Sequence, residues 1–258
     1  MTAYLPAIDI LADRDAVAAL AAGAIVEGVV SGRVKTLGVA TGATVVQIYA
    51  RLVAAVRSGG VSFKNVTTFN LDDYVGVPST APASFRAFMR RHFIDLVDID
   101  PARAHMLDGM ASEVAIEAAC YETLIRQTGG IDLQLLGVGP NGHIAFNEPG
   151  SDFGSRTREI LLADETRTAH AAYFPHGAKV PHFAVTMGIG TILEANEILL
   201  VAIGAHKAEA IAAAVSGPIS IMCPASALRR HPRVRIVCDE AAGSQIEGRA
   251  TSRIRRIS

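Results

Sequence analysis

The feature that most limits what this chain can fold into is a series of short apolar runs with little polar alternation. They lie at Lys35–Val39, Asn65–Asn70, Asp132–Val138, Glu197–Gly204 and Val234–Asp239. Runs of this kind suit strands buried on both faces. Between them, Ala43–Arg57, Ser84–Ile94, Ser112–Gln127 and His206–Val215 carry apolar residues at three- and four-residue steps, the period of helices that cover a sheet. The alternation predicts an α/β, Rossmann-like three-layer domain, with a central mostly parallel sheet covered by helices on both faces. No repeat, low-complexity linker or long charge run interrupts it, so residues 1–258 read as a single domain.

Charge and residue usage exclude several classes of function. Lys+Arg 24 against Asp+Glu 25 leaves a net charge of -1, which gives no overall field for nucleic acid or anionic lipid. The first 30 residues are too poor in Lys and Arg for a DNA-reading helix-turn-helix. The basic ending Arg249, Arg253, Arg255 and Arg256 reads as a solvated, frayed tail. An apolar run over 16–26, flanked by Asp13, Asp15 and Glu27, is too short to span a bilayer and reads as a buried helix. Cys120, Cys223 and Cys238 are scattered and form no CxxC or Cys/His ligand spacing, which fits a reduced, cytoplasmic setting. His92, His105, His170, His176, His182 and His231 show no metal-ligand spacing, so no metal site is expected.

Ligands of open parallel sheets sit beyond the carboxyl ends of the strands, which directs attention to the segments after each apolar run. Ala40-Thr41-Gly42-Ala43-Thr44 would place backbone N–H groups, hydroxyls and a helix dipole together, a phosphate cradle; its ordinary reading is a Thr N-cap in a tight turn. Lys207, near another helix start, suits a phosphate monoester or is one solvated lysine among many. Asp72 and Asp73 follow a strand, where a carboxylate facing an apolar cleft can move a proton from carbon; turn chemistry is the alternative. Tyr74 beside them reads as a wall. His143 has Glu148 five residues on, a carboxylate able to orient the imidazole as an acid/base, while Gly139 and Gly142 let the backbone approach a ligand.

Together, FNLDDYVG at 69–76 and GVGPNGHIAFNEPG at 137–150 resemble the glucosamine-6-phosphate deaminase (isomerase) family. The resemblance runs through LGVATGAT at 37–44, SRTR at 155–158, VTMGIGTILEA at 185–195, GAHKA at 204–208 and VCDE at 237–240. It implies a cofactor-free cytoplasmic enzyme of amino sugar catabolism whose partner is a small-molecule amino sugar phosphate. It also implies that Asp72 is the proton-transfer base, His143 the ring-opening acid/base and Glu148 its supporting carboxylate. Thr41, Gly42, Ala43, Thr44 and Lys207 match the family's phosphate site. Some members are hexamers, which leaves homo-oligomerisation open for this chain.

Three positions depart from the family pattern. Asn141 stands where many members have an aspartate; its amide can orient a neighbour but cannot take a proton. Ala172 stands where an arginine commonly clamps the phosphate, with His170 and Lys179 as candidate replacements. The departures leave room for galactosamine-6-phosphate or another aminated sugar. A 6-phosphogluconolactonase-like lactonase and a non-enzymatic sugar-phosphate-sensing domain are the rival classes. Ile160 stands where activated members carry a basic residue, so N-acetylglucosamine-6-phosphate is expected to leave rate and affinity unchanged. A kinetic titration with that sugar checks this, and a clear rise in either would refute it.

Overall fold

The computed structural model describes residues 3–174, 179–247 and 254–257. Eight strands form one sheet, and every pairing in it is parallel. They are β1 (Ala7–Leu11), β2 (Thr36–Val39), β3 (Thr67–Asn70), β5 (Ala104–His105), β6 (Leu133–Leu136), β9 (Glu197–Ala202), β10 (Val234–Asp239) and β11 (Ile254–Ile257). Their spatial order is β11-β1-β10-β9-β6-β2-β3-β5. All five apolar runs are strands here, and every residue of β2, β3 and β6 is buried, as two covered faces require. The four adjacent strands β9, β6, β2 and β3 therefore end side by side on one edge.

The covering helices include α1 (Arg14–Val30), α2 (Val46–Arg57), α3 (Phe85–His92), α4 (Val114–Gln127) and, after the α5 described below, α6 (Ala208–Ser216). The 16–26 run is the middle of α1. The Asp13 side chain accepts the Ala16 N–H at 2.8 Å and caps it, and Val17, Ala18, Ala21, Ala22 and Ile25 form its buried stripe. Among the described residues, no helix is long and apolar enough to cross a membrane.

A second sheet lies outside what the sequence pattern shows. The short strands β4 (Asp72–Tyr74), β7 (Arg158–Leu161) and β8 (Phe183–Thr186) form an antiparallel sheet in the order β4-β8-β7, with α5 (Asp164–His170) between β7 and β8 in the chain. Leu71 joins the two sheets: its N–H donates to Val39 O of β2 at 3.2 Å, and its carbonyl accepts the Met187 N–H at 2.7 Å. Tyr74, Phe85, Phe146, Leu162 and Ala184 form a separate small core beneath this sheet, and Ile160 packs against it. A hydrophobic side chain at 160 thus has a packing reason of its own.

The reading of the basic ending as a frayed tail is corrected for its last part. Arg255 and Arg256 belong to β11, which pairs with β1, whereas Arg249 and Arg253 lie outside the described residues. The cause is Asp9, a fully buried carboxylate in the middle of β1. It accepts from Arg235 Nε at 2.6 Å and Arg255 Nε at 2.7 Å. Both arginines keep access to solvent while the carboxylate has none, so the pairing is what makes burial of Asp9 tolerable. Changing Arg235 and Arg255 together to Leu should cost about 3–5 kcal/mol by stranding that charge. The additional change Asp9→Val should recover most of the loss. Thermal melts of the double and triple variants test this, and no recovery in the triple would show that the arginines act elsewhere.

Candidate active site

The carboxyl ends of β9, β6, β2 and β3 open into a cleft of about 950 Å³, within the range of small-molecule sites. Thr41 to Thr44, Asp72, Asn141, His143, Glu148 and Lys207 all line it. The structure thus brings together the nine residues that the resemblance matched to catalysis and phosphate binding.

The loop after β2 is anchored by the buried Tyr49, whose hydroxyl donates to Ala40 O at 2.5 Å and accepts the Ala40 N–H at 3.2 Å. Gly42 takes φ 126, and Val45, at the start of α2, makes no side-chain capping bond. The Thr N-cap alternative is therefore not realised, and no side chain caps the start of α2, which leaves its N-terminus suited to an anion. After β9, the Gly204 N–H donates to both carboxylate oxygens of Asp239 at 3.0 Å. That contact, within the VCDE segment, fixes the turn carrying Lys207. Burial lowers the Lys207 pKa, and its amine has no carboxylate partner among the described residues. A half-buried, unpaired cation is a ready anion site.

Asp72 and Asp73 have separate tasks. The Asp73 carboxylate accepts the N–H groups of Tyr74, Phe85 and Arg86 at 2.8, 3.0 and 3.3 Å, so it anchors the start of α3. Asp72, opposite Thr186 in the β4–β8 register, is buried beside the cleft. Burial, reinforced by the Asp73 charge and opposed by a hydrogen bond from Thr41, pushes its carboxyl up to about 8. A carboxylate with that proton affinity is a strong base toward carbon near neutral pH.

The loop after β6 carries the second group. Asn147, fully buried, donates to Ile144 O at 3.0 Å and Met187 O at 2.8 Å and accepts from Arg158 at 2.9 Å. This holds Ala145 at φ 50, a left-handed conformation uncommon for alanine. His143 Nδ1 lies 3.4 Å from Glu148 Oε2, close enough for charge attraction but long for a hydrogen bond. The Asn141 amide donates to Glu148 Oε2 at 2.8 Å, and its Oδ1 accepts the His143 backbone N–H at 3.2 Å. Thr166, on α5, donates to Glu148 Oε1. Burial pushes the Glu148 carboxyl up, but His143, Thr166 and Asn141 outweigh it and hold it at about 2, so Glu148 is ionised. An aspartate at 141 would set a second negative charge against it; the amide instead donates.

Sequence reasoning missed Thr166 because DETRTAH has no apolar stripe that would announce a helix against the cleft. Of the two proposed replacements for an arginine, His170 lies in the cleft wall, whereas Lys179 is exposed and outside it. Ala172 is exposed on the 3-10 turn Ala171–Tyr173 after α5.

The model of the glucosamine-6-phosphate isomerases/6-phosphogluconolactonase family matches residues 12–237. The chain belongs to that family. It is 47% identical to a glucosamine-6-phosphate deaminase of Rhodopirellula baltica, covering 94% of this chain and 97% of that protein. It is 44% identical to one of Cutibacterium acnes, covering 92% and 91%. Among solved structures, a monomeric glucosamine-6-phosphate deaminase superposes with a TM-score of 0.89 at 39% identity, covering 92% of this chain and 99% of that one. A 6-phosphogluconolactonase from Trypanosoma brucei shares the fold, with a TM-score of 0.75 at 20% identity, covering 95% and 100%.

Gly139 makes the geometry around His143 testable. A β-carbon there would fall inside the His143 ring. Gly139→Ala should keep the fold yet displace the imidazole and lower turnover about 100-fold, as misplacement by an ångström does. Circular dichroism with steady-state kinetics checks this; a near-native rate would mean that His143 need not sit where it does.

Proposed function

We propose that this chain converts glucosamine-6-phosphate and water to fructose-6-phosphate and ammonia. The observation that carries the reading is Asp72: a buried carboxyl raised to about 8 on the same cleft as an imidazole–carboxylate pair and two anion-friendly turns. The deaminases among its relatives, at 44% and 47% identity over nearly the whole chain, support it. Residues 1–258 are taken as one domain, working in the cytoplasm on a small amino sugar phosphate.

In this reading the N–H groups of Thr41, Gly42, Ala43 and Thr44, together with Lys207, hold the phosphate. His143, with ionised Glu148 beside it and Asn141 fixing that carboxylate, transfers the proton that opens the sugar ring. Asp72 removes the C2 proton, leaving an enolamine, and returns that proton to C1. The resulting C2 imine takes up water, and the C2–N bond breaks to release ammonia. A base that must give its proton back is best matched to the working pH, which a carboxyl near 8 meets.

Purified protein should release ammonia and fructose-6-phosphate in equal amounts from glucosamine-6-phosphate and none from unphosphorylated glucosamine. Because the Asp72 pKa is raised, the base form is gained as pH rises, so kcat/KM should climb through an acid limb near pH 8. Asp72→Asn should lose about 10²–10⁴-fold in turnover while still binding the sugar phosphate. Near-wild-type turnover in that variant would remove Asp72 from the role. Ammonia from galactosamine-6-phosphate alone would keep the chemistry and change the substrate, whereas lactone hydrolysis without ammonia would overturn the reading.

A further inference from the structure

Among the described residues no arginine lines the cleft, and its cationic or cationisable groups are Lys207, His143, His170 and His206. His143 is committed to Glu148, and His206 is exposed on the turn before Lys207. His170 differs from both. It is the last residue of α5, and its ring sits among Tyr74, Phe146 and Tyr173, with centroids 6.1, 5.6 and 5.5 Å away. Its Nδ1 lies 2.6 Å from the Tyr74 hydroxyl.

That contact fixes the tautomer. The Tyr74 hydroxyl has no other hydrogen-bond partner among the described residues, and Tyr74 is fully buried. If Nδ1–H donated to it, the phenolic proton would be stranded without an acceptor. Tyr74 therefore donates to Nδ1, and the neutral ring carries its proton on Nε2. Nε2 is not sealed from solvent and has no partner among the described residues, and His170 lines the cleft, so this proton is available to a ligand there. Burial lowers the His170 pKa to about 4, helped by the charges of His143 and Lys207 and opposed by Glu148. His170 and Lys207 line the same cleft.

We propose that His170 is a second phosphate-binding residue, donating Nε2–H to the ligand anion held by Lys207, with Tyr74 as the positioning residue that fixes the donor tautomer. The proposal deepens the reading of this cleft as a sugar-phosphate site and rests on it. The sources of specificity are then a single lysine charge, backbone N–H groups and a neutral imidazole.

Two measurements test it separately from the deaminase reading: the affinity of wild type and variants for inorganic phosphate, by calorimetry, and KM against kcat for glucosamine-6-phosphate. His170→Ala should weaken phosphate binding and raise KM about tenfold each, with kcat within about twofold. His170→Asn, which restores a neutral donor, should recover part of both and serves as the main variant if alanine impairs folding. Tyr74→Phe should raise the same constants by a smaller factor and move the His170 ¹⁵N ring signals from the Nε2–H pattern toward a mixture. Unchanged phosphate affinity in His170→Ala would overturn the proposal. A raised KM with unchanged phosphate affinity would do so too, by placing the contact on a sugar hydroxyl. Wild type that binds phosphate through His170 but releases no ammonia would sink the deaminase reading and leave this one standing.

Discussion

The site depends on how the chain crosses between two sheets at Leu71. Its N–H is bonded to β2 of the parallel sheet and its carbonyl is bonded to Met187, next to β8 of the antiparallel one. Asp72 is the first residue beyond the crossing and so is enclosed by both layers. Neither sheet alone would desolvate it. The parallel sheet supplies Thr41 beside the carboxyl, and the antiparallel sheet supplies Thr186 opposite it in register.

The crossing also separates two adjacent residues of identical chemistry. Asp73 is surrounded by backbone donors at the start of α3 and has a structural task there. Asp72 finds one hydroxyl and a neighbouring negative charge, so its proton stays on to an unusually high pH. A similar contrast runs through the loop after β6. There Glu148 is surrounded by donors and becomes the fixed charge against which His143 works. One carboxyl kept basic by lack of partners and another kept ionised by many is a division of labour seen wherever proton transfer and orientation share a cleft.

Much of this was legible in the sequence. Strands buried on both faces write themselves as apolar runs, and the parallel arrangement then dictates where a ligand must sit, which is why Asp72, His143, Glu148, the 41–44 loop and Lys207 could be nominated together. What escaped had physical reasons. β1 was not recognised because Asp9 breaks its apolar character, and only two distant arginines make that residue tolerable. β4, β7 and β8 are three or four residues long, too short for a period to register. Thr166 acts from a polar helix, and the His170–Tyr74 contact joins residues 96 apart that no motif links.

The Asp9 clamp bears on how the molecule is made. β1 lies between β10 and β11, and its carboxylate waits for Arg235, 226 residues further along the chain. During synthesis at about 5–20 residues per second, the first strand to emerge spends roughly ten seconds or more without its neighbours. The pairings of β2 with β3 and β6 close over shorter separations and are available earlier in synthesis. The earliest-made strand thus finds both its neighbours among the last-made segments, and its buried charge has no partner until they arrive.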